Sequence, residues 1–142
     1  MRAMGLDVGA ARIGVAFSEG ALALAHGVVE FSEAAEQNLA TLAAEKGVSS
    51  IFVGLPLSLS GERTKSSQLA INFARNLSSL TEIKISLVDE RLTTVSAQRN
   101  LHQVGKSSKE SKSLIDAESA RGILEFALSS PHVAIEIGDI DA

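Results

Sequence analysis

The chain has 142 residues, of which 45% are hydrophobic and 21% are charged, and these proportions are typical of a single globular domain. A chain of this length buries about 70% of its unfolded surface on folding, so it needs neither disulfides nor a structural metal. It contains no cysteine. This absence excludes a disulfide scaffold, a thiolate metal site and a cysteine nucleophile.

Hydropathy and charge indicate a cytoplasmic protein without a general affinity for nucleic acid. No stretch approaches the ~20 apolar residues of a membrane span, and Asp7 interrupts the first apolar segment before a signal peptide could form. The 13 basic and 17 acidic side chains give a net charge of −4. The pI is about 5.4, whereas dedicated nucleic-acid-binding domains more often exceed about 9. Any binding of nucleic acid must therefore depend on local positive charge.

Apolar periodicity predicts strands and helices in a definite order. Short alternating segments broken by turn residues predict five strands, at residues 4–8, 13–17, 24–31, 51–55 and 83–88. Helical spacing predicts four helices: residues 33–46 ending before Gly47, a segment around Leu69, Phe73 and Leu77, a segment from Thr93 or Thr94 to Val104, and a last one over 114–128.

This order predicts the fold class and the domain boundary. Three consecutive strands followed by strand–helix alternation predict an α/β domain over residues 1–130, with a mixed five-stranded sheet and helices on both faces. The acidic segment 131–142 begins at Pro131, and we predict that it is a C-terminal tail compatible with disorder.

A carboxylate lies in the glycine-rich first strand. Alternation places Asp7 on the same face as Gly5 and Gly9, opposite the apolar residues of the strand. A buried carboxylate is costly unless a cation or donor meets it, and neighbours without side chains leave room for an ion and a phosphate. The alternative is an aspartate that only enters the turn at Gly9-Ala10.

A second acidic pair, Asp89-Glu90, directly follows a predicted buried strand. Ligands collect outside the carboxyl ends of strands in such sheets, so these acids are well placed for metal. A solvated loop with a favourable charge near a helix N-terminus explains them equally well. Alternation does not decide which of the two side chains points inward.

Asp116 lies among apolar residues near the start of the last predicted helix, where a solvated carboxylate is less expected. Ser113 and Asp116 also fit a capping box, which would give this carboxylate a purely local role. Both interpretations stay open from the residues alone.

A basic run precedes Asp116, in which Arg99, Lys106, Lys109 and Lys112 are opposed only by Glu110, for a local charge of +3. The run is either a solvated loop or a set of phosphate contacts. Because the chain has no Trp or Tyr and only 5 Phe, phosphate contacts should dominate any binding of nucleic acid.

Four groups of short motifs occur in a specific order and spacing. They are Gly5-x-Asp7-x-Gly9-x-x-Arg12-Ile-Gly-Val15, then Val53-Gly-Leu-Pro-Leu57 with Gly61, then Asp89-Glu-Arg-Leu-Thr-Thr94 with Ala97 and Leu101, then Ile115-Asp-Ala117 with Ile123-Leu124. Together they resemble the YqgF family, also called RuvX. The resemblance spans about residues 2 to 128.

The resemblance implies an RNase H-like fold and a bacterial metal-dependent nuclease. Members are described as Holliday-junction resolvases or as nucleases that mature the 5′ end of the small-subunit (16S) ribosomal RNA precursor. By motif, Asp7, Glu90 and Asp116 match the catalytic, metal-binding acids. Three carboxylates without Cys or clustered His suit Mg²⁺ or Mn²⁺. We expect two ions, with Asp7 bridging both and each other acid completing one.

The expected partner is nucleic acid, with precursor rRNA favoured over branched DNA. Arg12 and Arg91 are candidate phosphate clamps, and the segment with Lys106, Lys109 and Lys112 is a candidate substrate guide. Three alternatives stay open: a Holliday-junction endonuclease, a non-catalytic RNA-binding or transcription-associated module, and an actin-like phosphotransferase. The last is disfavoured because a second lobe would not fit in 142 residues.

Overall fold

A mixed sheet of six strands forms the centre of the computed structural model, which describes residues 2–93 and 109–141, with only the backbone of 109–113. The strands are β1 (Arg2–Val8), β2 (Arg12–Glu19), β3 (Leu22–Glu30), β4 (Val48–Leu55), β5 (Lys84–Asp89) and β6 (Ile135–Glu136). Their order across the sheet is β3-β2-β1-β4-β5-β6. The first three form an antiparallel meander, β4 and β5 run parallel to β1, and β6 is antiparallel to β5. The predicted α/β class is confirmed, but the sheet has one strand more than the five predicted.

Helices cover both faces of this sheet, as predicted. They are α1 (Ala35–Glu45), α2 (Lys65–Ser78) and α3 (Lys109–Ser129). The first two pack on one face and α3 packs on the other. Helix α1 ends before Gly47, whose positive φ of 67° suits glycine. Within the described residues, no helix is long and apolar enough to cross a membrane.

The two faces of β1 meet different surroundings. Met4 and Leu6 are fully buried in the main core with α1 and α2. On the other face, a Cβ at Gly5 would lie 2.7 Å from Leu124 Cβ and 2.8 Å from the Ala120 carbonyl oxygen of α3. Only glycine permits this close approach of helix and strand. Asp7, two residues along, therefore faces α3, as the alternation predicts.

Helix α3 is anchored over the sheet by Ile123 and Leu124, both fully buried. Burial of each such side chain contributes about 1.5–3 kcal/mol to folding. This packing determines the distance between α3 and the strands β1 and β2. It therefore also determines where Asp116, nearer the start of α3, lies above the sheet.

Helix α3 already includes Lys109, five residues before the start predicted from its apolar pattern. Lys109 and Lys112 therefore lie in a helix, and the predicted loop is wrong for both. Lysine, glutamate and serine form helix without an apolar face, which is why periodicity missed this stretch. Ser113 lies inside the helix rather than at its N-cap, so the capping-box interpretation of Asp116 is wrong.

Several predictions concern residues outside the described part of the chain. The helix predicted between residues 94 and 104 lies there, as do Arg99 and Lys106.

The C-terminal segment differs from the expectation of a disordered tail. Strand β6 pairs with the edge of β5, and Ile137 and Ile140 pack against the main core. Asp141 accepts a hydrogen bond of 2.7 Å from Arg63 and another from Arg75 of α2. The cations that hold this acidic segment are more than 60 residues away in sequence, so composition alone could not reveal them.

We expect Asp141→Asn to lower the melting temperature slightly at neutral pH, because exposed ion pairs contribute little to stability. Hydrogen bonds from Arg63 and Arg75 hold the pKa of Asp141 below its ordinary value of 3.8. The stabilisation is therefore present above that value and is lost as the pH falls through the lowered pKa. Melting curves over a pH series should show the difference vanishing in strong acid. Asp139→Asn is the matched control, and a difference that persists at every pH would contradict the ion-pair explanation.

Candidate active site

The three predicted acids approach the same end of the sheet. Asp7 lies near the carboxyl end of β1 and is 6% exposed, and Glu90 directly follows β5 and is 3% exposed. Asp116 lies in α3, with 23% of its side chain exposed. Two glycines on the strands beside Asp7 show how the chain brings these residues together.

Gly14 lies directly opposite Asp7 in the antiparallel β1–β2 pair. A Cβ at Gly14 would overlap the carbonyl oxygen of Asp116 and lie 2.5 Å from its carbonyl carbon. The backbone of α3 at Asp116 therefore rests directly on Gly14. This contact places Asp116 above the strand next to Asp7.

Gly54 occupies the equivalent position on the other side of Asp7. Val53 pairs with Leu6, so Gly54 is the residue of β4 beside Asp7. A Cβ there would lie 3.2 Å from Glu90 Cδ and 2.5 Å from Ile123 Cδ1. Because neighbouring strands are about 4.8 Å apart, the Glu90 carboxyl group lies over the strand adjacent to Asp7.

Neither Gly14 nor Gly54 is among the predicted site residues, although both belong to the quoted motifs. The available signal was a glycine within a strand, which commonly marks a close approach of another part of the chain. Which part approaches is a tertiary property.

The structure decides which of the acids after β5 points inward. Asp89 caps the short 3₁₀ helix Glu90–Leu92 by accepting a hydrogen bond of 2.9 Å from the Arg91 backbone N–H. The Arg91 guanidinium also donates to Asp89, with Nη2 and Oδ2 2.7 Å apart. Burial opposes ionisation, but the hydrogen bonds and charge of Arg91 hold the pKa of Asp89 below its usual value. Asp89 thus holds the turn, while Glu90 is the buried acid.

Arg91 therefore has a structural role in this conformation. Besides Asp89, it donates from Nη1 to the Leu59 carbonyl oxygen at 3.2 Å, which ties the loop before α2 to the turn that carries Glu90. Its predicted role as a phosphate clamp stays a prediction.

Arg12 is paired with the third acid. Its Nε donates to Asp116 Oδ2 at 2.7 Å, and both side chains are about one quarter exposed. The pair connects the start of β2 to α3 across 104 residues of sequence. Arg12 thus neutralises Asp116 in this conformation, and its predicted contact with phosphate also stays a prediction.

The donor set fits a hard divalent cation through two of its acids. In residues 2–93 and 109–141, no group of three or more His, Asp or Glu side chains converges closely enough to hold a metal ion. Asp7 and Glu90 are nevertheless buried over neighbouring strands. Mg²⁺ is commonly held by one or two carboxylates, with water and substrate phosphate completing its shell. Asp116 could bind the ion together with Asp7 and Glu90 only after its hydrogen bond with Arg12 is broken.

Comparison with known proteins identifies the family of this chain. The family model for RuvX, described as Holliday junction resolvase, matches residues 1–130. The chain belongs to the RuvX family. This match confirms the resemblance drawn from the motifs.

Curated relatives of this RuvX-family chain carry the name "Putative pre-16S rRNA nuclease". One from Clavibacter sepedonicus is 42% identical over 136 residues, which cover 92% of this chain and 84% of the relative. One from an Anaeromyxobacter strain is 38% identical and covers 93% and 99%. These names agree with the predicted enzyme class, a hydrolase that acts on phosphodiester bonds.

Solved structures confirm the RNase H-like fold of this RuvX-family chain. RuvC from Thermus thermophilus, solved in complex with a Holliday junction substrate, aligns with a TM-score of 0.58 over 96% of this chain and 99% of that one. The two share 14% sequence identity, so the similarity supports the fold alone.

Proposed function

We propose that this protein is a metal-dependent nuclease that hydrolyses phosphodiester bonds in the maturation of the 5′ end of pre-16S rRNA. The observation that carries the proposal is the arrangement of the three acids. Asp7 is buried on β1, the buried Glu90 lies over β4 on one side of it, and Asp116 lies above β2 on the other side. Membership of the RuvX family supports the hydrolysis of phosphodiester bonds, and the names of the relatives support pre-16S rRNA as the substrate. Cytoplasmic location belongs to the proposal, because ribosomal RNA is processed there in bacteria.

Each acid has a distinct part in this proposal. Asp7 is central, since its neighbours on both adjoining strands are glycines, which let the backbone at Asp116 and the Glu90 carboxyl group approach the sheet on either side of it. Asp7 and Glu90 would hold one Mg²⁺ or Mn²⁺, and Asp116, which pairs with Arg12 in this conformation, would help to hold a second. When bound, such ions activate water and neutralise the charge that develops on the phosphate. Arg12, whose Nε now lies 2.7 Å from Asp116 Oδ2, would then be free to contact a phosphate of the substrate.

Four-way DNA junctions are a second candidate substrate, favoured by the description of the RuvX family. The deciding experiment presents the purified protein with pre-16S rRNA and a four-way junction in parallel, with Mg²⁺, and maps the ends of any products. Cleavage near the mature 5′ end of the RNA is expected. Paired, symmetrical cuts in the junction with intact RNA would favour the second candidate, and binding without cleavage of either would leave a non-catalytic module.

We expect Mg²⁺ or Mn²⁺ to support cleavage and Ca²⁺ to bind without supporting it, because the longer and looser coordination of Ca²⁺ misplaces water and phosphate. Initial rates should be measured on one RNA substrate after removal of metal and addition of each ion. Undiminished cleavage in excess EDTA would contradict a metal mechanism.

Replacement of Lys106, Lys109 and Lys112 by Ala should weaken RNA binding alike for all sequences. Removal of each lysine–phosphate interaction should reduce the slope of log affinity against log salt concentration by about 0.7 for single strands or 0.9 for duplex. The reduction for all three lysines together should be about 2 to 3. Folding stability should barely change, since lysines in a polar stretch of sequence contribute little to folding. Binding measured over a salt series tests this, with Lys46→Ala/Lys84→Ala as control. An unchanged slope in the triple variant would place the substrate elsewhere.

A further inference from the structure

Leu59 is the most exposed large apolar side chain in the described parts of the chain, with 97% of its surface accessible. It lies in the loop between β4 and α2. A single exposed leucine needs no explanation by itself. What distinguishes Leu59 is the rigidity of the loop that holds it and the place where that loop is attached.

Hydrogen bonds fix the backbone on both sides of Leu59. The Gly61 N–H donates to the Ser58 carbonyl at 2.8 Å, and the Ser58 N–H donates to the Glu62 carbonyl at 2.9 Å. Ser58 Oγ accepts a further bond of 3.0 Å from the Glu62 N–H. Gly61 has a positive φ of 89°, which allows the tight reversal. Leu59 is therefore presented to solvent by an ordered turn.

The same turn is attached to the candidate active site. The Leu59 carbonyl accepts a hydrogen bond from Arg91, the residue that follows Glu90. A Cβ at Gly61 would lie 3.2 Å from Arg91 Nη1, so the guanidinium packs against the loop. Because Arg91 is also bound to Asp89, the position of Leu59 is fixed relative to the turn that carries Glu90.

An apolar side chain at this place has a specific use on a nucleic acid. Proteins that displace bases from a stack frequently insert Leu, Ile, Met or Phe between neighbouring bases. Stacking on Trp or Tyr is not available to this chain, because it has neither, and each of its phenylalanines is buried or half-buried: Phe17, Phe31, Phe52, Phe73 and Phe126.

We propose that Leu59 packs against a nucleobase next to the bond that is cut and holds that base out of its stack. This proposal rests on the proposed nuclease function. The loop supplies a fixed apolar contact for the base while the acids act on the adjoining phosphate. Since leucine is uncharged, the contact adds affinity without neutralising a phosphate.

The test uses the Asp7→Asn protein, which should bind without cutting, and oligonucleotides that carry 2-aminopurine at successive positions. This base analogue fluoresces more strongly when it is unstacked. One arm uses single-stranded precursor RNA and the other a four-way DNA junction, to distinguish the source of the base. Leu59→Ala should abolish the rise in fluorescence at one or two positions. It should also weaken binding about fifteenfold, the loss expected when two buried methylene equivalents are removed.

Two further measurements separate a base contact from a general structural effect. The salt dependence of binding should be the same in Leu59→Ala as in the parent, because the substitution leaves every phosphate interaction in place. Leu59→Met should restore the fluorescence rise. Leu22→Ala is the matched control, since Leu22 is 60% exposed at the start of β3, the opposite end of the sheet, and it should change neither property.

The outcomes distinguish this proposal from the function on which it rests. If the wild-type protein cleaves and the Asp7→Asn protein binds, but the fluorescence rise is the same with and without Leu59→Ala, only the proposed role of Leu59 is refuted. Failure of the wild-type protein to bind either nucleic acid would overturn the nuclease function and the base contact together.

Discussion

Replacement of Asp7 by asparagine is expected to abolish cleavage while leaving the fold and most of the RNA affinity intact. Asparagine keeps the shape of the side chain but removes the charge needed to hold divalent ions. Metal-ion catalysis contributes several kcal/mol to such reactions, so the loss should be on the order of 10³-fold or more. Single-turnover rates with saturating enzyme would measure it independently of binding.

The stability of the same variant gives a second readout. Asparagine matches aspartate in shape and can still form hydrogen bonds at this position, which is 6% exposed. The melting temperature of Asp7→Asn should therefore stay close to that of the wild type. Asp139→Asn, the same chemical change outside the site, should retain full activity. Wild-type turnover by Asp7→Asn, with contaminating nuclease excluded, would refute the assignment of this site.

Gly14→Ala is expected to damage both stability and activity. The added methyl group would overlap the Asp116 carbonyl oxygen, so the backbone of α3 must move away from β2. Overpacking of this kind typically costs about 1–3 kcal/mol. The shift would also displace Asp116 and its pairing with Arg12, which should lower the cleavage rate beyond the effect of a smaller folded fraction.

Gly27→Ala is the matched control for this prediction. Gly27 lies in β3 with no atom within 4 Å of the position that its Cβ would take, so the substitution should be nearly neutral. Urea unfolding and rates per folded molecule should be compared for the two variants. Equal stability and activity in both would mean that the close contact between Gly14 and α3 does not position the site.

The sequence predicted the parts of this fold that depend on local rules. Alternation in β1 separated Asp7 from Met4 and Leu6, because successive side chains of any strand point to opposite faces. Gly47 ended α1 because it reaches a positive φ without strain. Motif order then indicated the RuvX family, which the family comparison confirmed.

The start of α3 and the C-terminal segment show where local rules failed. A polar helical turn from Lys109 has no apolar period to reveal it. Strand β6 has two residues and forms only against the exposed edge of β5. Short polar or edge elements are stabilised by what they dock on, so their own residues carry little signal.

By itself, the sequence of this protein determined the order of β1 to β5 with the helices between them and the face of Asp7, because each follows from spacing along the chain, and the family resemblance of its motifs supplied the three candidate acids. Only the tertiary structure decided that Glu90 rather than Asp89 is the inward acid, and that Arg12 pairs with Asp116 across 104 residues. Both outcomes depend on how closely α3 and the turn after β5 approach bare glycines on neighbouring strands. Such distances arise when the layers of the fold pack together, and no local pattern of residues encodes them.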